Sequence, residues 1–325
     1  MKIAVIGLGA IGPSHVDGIK RCGQEIVALC DIVKERCEKA NKDYSLKAEI
    51  YTDYKKMLDE EKLDAVHICT PHYLHAEMVV ECLKHNINVL CEKPLAISYG
   101  QLDEIEKAVV SSTAQLGVCQ QNRYNYATRK AKEYFKGEEI ISAVGTLTWN
   151  RDRNYYLSGE WRGKKGTEGG GVVINQALHT LDLLQYFCKM PNSCIGHTFN
   201  DRLKDVIEVE ESAFATYDIS GGRFVIQATN SSSVSFPVTI SLTSKTKQAT
   251  IVGNGIIIND EFHTQSEDLK FGKTEWGTGH APLIKDFYDC LQSGRKFPID
   301  FYEGQKAVKL ILALYKSDGK EIEIK

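Results

Sequence analysis

Three groups of residues in this chain have types and spacings suited to chemistry. Gly7, Gly9 and Gly12 form a G-x-G-x-x-G turn directly after the apolar run 3–6. Such a turn brings backbone N–H groups and the positive end of a helix dipole up to a phosphate. Lys93 follows a second apolar run, 87–91, in the sequence Cys91-Glu92-Lys93-Pro94. Asn175, His179 and Asp182 stand at i, i+4 and i+7 of a helical pattern and so share one face. An ammonium and an imidazole are groups that take a hydroxyl proton and stabilise the oxygen on which charge develops. A dinucleotide cradle joined to these two groups points to hydride transfer with a nicotinamide.

Within the cradle, Gly7 allows the tight turn, Gly9 lets the backbone approach a pyrophosphate, and Gly12 lets the following helix pack close to the strand. Ala10 and Ile11, lying between them, count with the cofactor contacts. Asp31 ends the second strand, where a carboxylate accepts hydrogen bonds from the adenosine ribose. A carboxylate there repels a 2′-phosphate, so NAD(H) is expected over NADP(H), although Lys34 and Arg36 pull the other way. Thr70 and Pro71 end the fourth strand, where a loop runs over the nicotinamide half. Glu92 and Lys93 lie at the carboxyl edge of the fifth, where ligands of doubly wound sheets bind. His72 and His75 read as residues of a helix start, with His75 exposed to solvent rather than catalytic. Substrate contacts are expected from Lys93, Asn175 and His179 together with Arg123, Tyr124, Trp161 and Arg162. Trp149, Tyr155 and Tyr156 are further aromatic candidates, since flat rings suit the C–H faces of a sugar. Asp182 and Asn175 are placed to orient the His179 ring.

The elements that must position these groups follow from periodicity. Apolar runs at 2–6, 25–30, 48–51, 64–69, 87–91 and 115–119 read as strands covered on both faces. Helical patterns lie between them, the clearest at 74–84, and Ser98 is a cap for a helix at 99–111. This is a doubly wound parallel sheet in a first domain, residues 1–121. From 122 to 325 the pattern changes to a substrate-binding and oligomerisation domain. A helix at 124–136 leads into alternating segments at 141–149, 212–219, 223–229, 237–242 and 248–258. Ser220-Gly221-Gly222 and Gly253-Asn254-Gly255 are hairpin signals, so this half is α+β with an open-faced, mostly antiparallel sheet. A single helix is expected at 172–187, two more at 281–292 and 303–316, and a last strand at 320–325. The terminal helices are expected to pack back on the first domain.

Composition narrows the classes. The chain has 325 residues, 42% hydrophobic and 26% charged, with a net charge of −3, which suits a water-soluble two-domain protein and offers no basic field for nucleic acid or an anionic membrane. No apolar run reaches the length of a membrane span, and the glycine-rich start does not read as a signal peptide. The ten cysteines include no C-x-x-C pair, which indicates buried thiols in a reducing cytoplasm and no metal site.

With these segments in view, the chain is similar along nearly its whole length to the glucose-fructose oxidoreductase / inositol dehydrogenase / rhizopine-catabolism (Gfo/Idh/MocA) family. The resemblance rests on Gly7 to Gly12, Thr70-Pro71, Glu92-Lys93-Pro94, Glu168-Gly169-Gly170-Gly171 running through His179 to Asp182, and Gly279-His280. It implies a Rossmann domain, a second domain with an open-faced sheet that carries substrate contacts and oligomer interfaces, and NAD(P)-dependent oxidation or reduction of sugars, cyclitols or related polyols. Lys93 matches the motif lysine and His179 the second-domain histidine. Many members have an aspartate four residues before that histidine, where this chain has Asn175. An amide cannot hold an imidazolium as a carboxylate does. Lys93 or His179 alone is then the base, with Asn175 binding a substrate hydroxyl. Two other readings stay open: a redox-neutral lyase or glycosidase that oxidises the sugar transiently, and a non-catalytic dinucleotide-binding regulator. A homodimer or homotetramer through the second sheet is expected.

Overall fold

The computed structural model describes residues 1–265 and 277–324, which divide into two units. The first consists of Met1–Gln121 and Gly279–Gln305; the rest belongs to the second.

In the first unit, β1 (Lys2–Ile6), β2 (Glu25–Cys30), β3 (Glu49–Tyr51), β4 (Ala65–Ile68), β5 (Asn88–Cys91) and β6 (Leu116–Val118) form one parallel sheet, in the order β3-β2-β1-β4-β5-β6. The strand order reverses between β1 and β4, which is the switch point of a doubly wound sheet. Ile3, Ala4, Val5, Val66, Ile68, Val89 and Leu90 are all buried, because helices cover both faces and no polar alternation is needed. Those helices are α1 (Gly12–Arg21), α2 (Lys34–Tyr44), α3 (Tyr54–Glu60), α4 (His75–Lys84) and α5 (Tyr99–Ser111). Ser98 does cap α5: its Oγ accepts from the Gln101 N–H at 3.2 Å. Residues from the chain's end complete this unit. A Cβ on Gly18 of α1 would meet Ile284 of a later helix at 2.5 Å, and the Val118 N–H on edge strand β6 donates to the Ile299 carbonyl at 2.9 Å. The edge strand is thereby covered.

The second unit opens with α6 (Tyr126–Tyr134), β7 (Ile140–Thr148) and α7 (Arg153–Leu157). The helix expected over 172–187 is broken into α8 (Val172–Asn175) and α9 (Leu178–Cys188). The N–H groups of Gln176 and Ala177 both reach the Val172 carbonyl, at 3.1 and 2.8 Å, which widens the turn by one residue. The Gln176 side chain is meanwhile held by the Tyr155 hydroxyl at 2.9 Å and the Asn230 amide at 3.1 Å. Next come β8 (Ser193–Phe199), β9 (Ser212–Ile219), β10 (Gly222–Thr229), β11 (Thr239–Ser244), β12 (Gln248–Val252), β13 (Gly255–Ile258) and β14 (Glu261–His263). The last elements are α10 (His280–Ser293), which belongs to the first unit, α11 (Phe301–Ser317), within which the division of units falls, and β15 (Ile322–Glu323). The sheet order is β14-β13-β12-β11-β7-β10-β9-β8-β15, antiparallel except for the β7–β10 pair, which is parallel. α7, β8 and β14 were not anticipated from the sequence. One sheet face is packed: a Cβ on Gly145 would meet Thr180 of α9 at 2.6 Å, and the Tyr217 hydroxyl donates to the Leu310 carbonyl of α11 at 3.0 Å. Among the described residues nothing covers the opposite face, where Val144, Ile195, Phe214 and Val225 are exposed.

Candidate active site

The glycine turn leaves the carboxyl end of β1. Gly7 has φ +94°, and a Cβ there would lie 2.6 Å from the Cys69 carbonyl oxygen at the end of β4. Both facts exclude a side chain. A Cβ on Gly12 would meet the Gly7 carbonyl at 2.5 Å, so the crowding that keeps Gly12 bare comes from the turn itself and not, as expected, from the strand. Gly9 has no atom within 4 Å of its Cβ position, and Gly9, Ala10 and Ile11 reach the surface. α1 starts at Gly12 with no side-chain cap and no acidic residue in its first turn, which leaves its positive end suited to an anion. Asp31, nearly buried, binds the turn: Oδ2 accepts from the Leu8 N–H at 2.8 Å, and Oδ1 from the Val33 N–H at 2.9 Å and Arg36 at 3.3 Å.

The loops after β4 and β5 are tied together by one imidazole. His75 Nε2 lies 2.8 Å from the Thr70 carbonyl and Nδ1 lies 2.7 Å from the Pro94 carbonyl. The exposed histidine expected at 75 is therefore fully buried, and burial pushes its pKa down. His72 is buried as well. The Lys93–Pro94 peptide is cis, and Lys93 is the only residue of 89–96 that is not buried.

Behind Lys93 runs a buried chain of polar groups, of which Glu92 and His280 were legible in the sequence and His15, His67 and Tyr288 were not. The Tyr288 hydroxyl lies 2.8 Å from His67 Nε2, the His67 and His15 Nδ1 atoms are 2.8 Å apart, and His15 Nε2 meets Glu92 Oε1 at 2.9 Å. His280 adds a second contact to the same oxygen at 3.5 Å, and the Lys93 N–H donates to Oε2 at 3.2 Å. Burial favours the neutral acid at Glu92, but hydrogen bonds from His15 and His280 outweigh it and hold the carboxyl well below its usual range. Burial drives His67 well below its ordinary value. One ordering of hydrogens suits neutral imidazoles and an anionic Glu92: Tyr288 to His67, His67 to His15, His15 to Glu92. The ligand atoms of His15, Glu92, Cys119 and His280 lie within 4.8 Å of one another, a spacing that a metal ion also accepts. A histidine inside an apolar strand, as His67 is in β4, was the available sequence signal.

In the second unit, Asn175 and His179 are the only residues of 171–185 that are not buried. The broken helix thus presents these two side chains from an otherwise enclosed segment. Asp182 does not serve His179 as expected. It is buried and pairs with Arg123, Nε to Oδ2 at 2.8 Å and Nη2 to Oδ1 at 2.6 Å. Arg123, expected at the substrate, is buried in this pair, and its guanidinium also lies 4.6 Å from the Tyr186 ring centre. Trp149 and Tyr156 are likewise buried: Trp149 donates to the Phe236 carbonyl at 3.2 Å, and Tyr156 packs with Leu203, Ile207 and Val209. Tyr124, Tyr155, Trp161 and Arg162 stay half-buried. Arg162 stacks on the Tyr155 and Trp161 rings, at 4.5 and 4.7 Å from their centres. Asn175 Nδ2 donates to Glu168 and lies 3.3 Å from the Tyr155 hydroxyl. Glu168 also accepts from the Gly163 N–H. Burial raises the Glu168 carboxyl to about 7, against these hydrogen bonds and the nearby Arg162 charge.

A doubly wound dinucleotide-type unit followed by a unit with an open mixed sheet defines a class of two-domain oxidoreductases. Residues 1–120 match the family model described as "Oxidoreductase family, NAD-binding Rossmann fold", and residues 136–253 match the "GFO/IDH/MocA C-terminal domain". The chain belongs to the Gfo/Idh/MocA oxidoreductase family. It is 33% identical over 162 residues to inositol 2-dehydrogenase of Salmonella typhimurium, covering 49% of this chain and 47% of that protein. It is 25% identical over 187 residues to myo-inositol 2-dehydrogenase of Thermotoga maritima, covering 57% and 54%. The chain spans about half the length of the curated relatives it matches. Among solved structures, the WlbA dehydrogenase of Bordetella pertussis, in complex with NADH and UDP-GlcNAcA, is 25% identical with TM-score 0.85 over 100% of this chain and 98% of that one. Levoglucosan dehydrogenase, in complex with NADH and levoglucosan, shares the fold at 18% identity and TM-score 0.87, over 100% and 99%.

Proposed function

We propose that this protein is an NAD-dependent dehydrogenase or reductase that passes a hydride between nicotinamide and a ring hydroxyl or ketone of a sugar, cyclitol or glycoside. One observation carries the reading. The glycine turn and Lys93 leave the same carboxyl edge of one parallel sheet, beside its switch point, and Lys93 alone reaches the surface from a buried run.

In this reading Gly7, Gly9, Ala10, Ile11 and Gly12 hold the pyrophosphate, and Asp31 holds the adenosine ribose. Thr70, Pro71, Glu92 and Lys93 serve the nicotinamide half. When bound, the cofactor supplies the hydride acceptor. Lys93 and His179 take the hydroxyl proton and stabilise the oxygen as the carbonyl forms. Asn175 binds a substrate hydroxyl, and Tyr124, Trp161 and Arg162 contact the sugar. Among the described residues no helix is long and apolar enough to cross a membrane. All ten cysteines are unbridged, which supports a reducing cytoplasm, and the open sheet supports a homodimer or homotetramer.

The test is absorbance at 340 nm on the purified protein with NAD+ and a panel of sugars, cyclitols and glycosides. Turnover that falls about 100-fold or more in both Lys93→Ala and His179→Ala, with NAD binding retained in the latter, is expected. A cofactor that co-purifies while substrate is consumed without net NADH would replace this reading with a redox-neutral one. NAD binding with no turnover of any panel member would favour a sensor.

A further inference from the structure

We propose that Glu168 is a positioning residue of this site: its buried carboxyl acts through Asn175, deciding whether that amide offers a sugar hydroxyl an acceptor oxygen or a donor N–H. The inference rests on the reading of the site as sugar-binding.

An ionised carboxylate only accepts hydrogen bonds. Glu168 has one oxygen on the Gly163 N–H and the other on Asn175 Nδ2. The amide nitrogen must then face Glu168; the Tyr155 hydroxyl lies 3.3 Å from that nitrogen. Tyr155 is itself fixed by Arg162 at 2.5 Å and by Gln176 at 2.9 Å. Asn175 Oδ1 is therefore turned away from Glu168, on a side chain that, with His179, reaches the surface of this segment.

Protonation reverses the arrangement. The Gly163 N–H keeps its oxygen as an acceptor, so the proton sits on the oxygen facing Asn175. The amide must rotate to give that O–H an acceptor, and the N–H group turns to where Oδ1 had been. The ionisable or charged groups acting on Glu168 include Arg162, which favours the anion, Glu210, which opposes it, and Tyr156 and Tyr315. Burial dominates and puts the transition at about 7. An Asp at 175 would carry a fixed acceptor; the Glu168–Asn175 pair makes the acceptor conditional on pH.

Glu168→Gln isolates the device. The Gln carbonyl takes the Gly163 N–H, its Nε2 faces Asn175, and the amide is held in the orientation of the protonated enzyme at every pH. With the best sugar of the panel, wild-type kcat/KM is expected to rise through a midpoint near pH 7. Lys93 and His179 are common to both proteins, so the readout is the ratio of the two: Glu168→Gln is expected to match wild type near pH 5.5 and to be down about tenfold at pH 8.5, with unchanged NAD affinity. A second readout needs no turnover. In protein labelled with 15N-asparagine, the Asn175 side-chain signals, assigned from Asn175→Ala, are expected to titrate near pH 7 in wild type and to stay fixed in Glu168→Gln. A Glu168→Gln to wild-type kcat/KM ratio that is the same at pH 5.5 and pH 8.5, or Asn175 signals that do not titrate, overturns the proposal. If no sugar turns over while the signals titrate as expected, the functional reading fails and the device stands.

Discussion

Arg123 and Asp182 meet through two hydrogen bonds with both side chains buried, so each charge depends on the other. Removing one partner strands a charge in the interior, at a cost of about 3–5 kcal/mol, whereas replacing both with apolar groups of similar size is close to neutral. Arg123→Met, which strands the Asp182 carboxylate, is therefore expected to lower the unfolding free energy by about 3 kcal/mol. Asp182→Leu added to it should recover most of that loss, as read from urea melts in a double-mutant cycle. Additive losses would show that the pair is not coupled. The pair was invisible in the sequence because helical spacing relates Asp182 only to its neighbours, His179 and Asn175. Its partner lies 59 residues away. Glu168 was legible as a motif residue but not as a participant, since its contact with Asn175 exists only once the three glycines turn the chain back.

At the scale of elements, the glycine turn separates folding from binding. A side chain at Gly7 would strike the Cys69 carbonyl at 2.6 Å in a backbone region that disfavours it, while the Gly9 position is open. Gly7→Ala is expected to destabilise the first unit by about 1–3 kcal/mol. Gly9→Ala should melt within about 0.5 kcal/mol of wild type yet weaken NAD binding about tenfold or more, because its methyl occupies the approach to the pyrophosphate. Calorimetric binding and thermal melts on the two variants decide it; equal binding by Gly9→Ala would move the cofactor away from this turn. The parallel strands of the first unit were legible because helices cover both faces and most positions, all the central ones of β1, are apolar. β8 was not, and the reason is physical. Its Cys194 and Gly196 face the packed side, where a Cβ at 196 would meet Leu314 at 2.3 Å, while Ile195 and Phe199 face outward. The usual pattern of apolar-in and polar-out is inverted. The break between α8 and α9 was hidden for a related reason: no residue type forbids a continuous helix there, and the widened turn is held by side chains from Tyr155 and Asn230.

The inverted strand is part of a larger feature of the second unit. The ladder register aligns Ile195, Thr216, Val225, Val144, Ser241, Thr250 and Ile257 in one row across seven strands and the shared open face. Phe214 lies in the adjoining row, with Phe199 stacked 5.9 Å from it. Ile195, Phe199, Phe214, Val225, Val144 and Ile257 are all exposed in the single chain. A contiguous apolar face of this kind is unusual for a monomer, and its flat mixture of aliphatic and hydroxyl groups suits a second copy of itself about a two-fold axis. A stable interface needs roughly 800 Å² from each partner, which a sheet of this breadth can provide. Light scattering coupled to size exclusion is therefore expected to give a mass of at least twice the 36.4 kDa chain. Phe214→Asp combined with Val225→Asp places carboxylates against their own symmetry mates and should shift the protein to the monomer mass. Val110→Asp, at an exposed apolar residue of α5 far from the sheet in sequence, should leave the mass unchanged. Since an exposed charge costs an isolated monomer little, a loss of secondary structure in the double variant would count against the interface less than an unchanged mass, which would refute it.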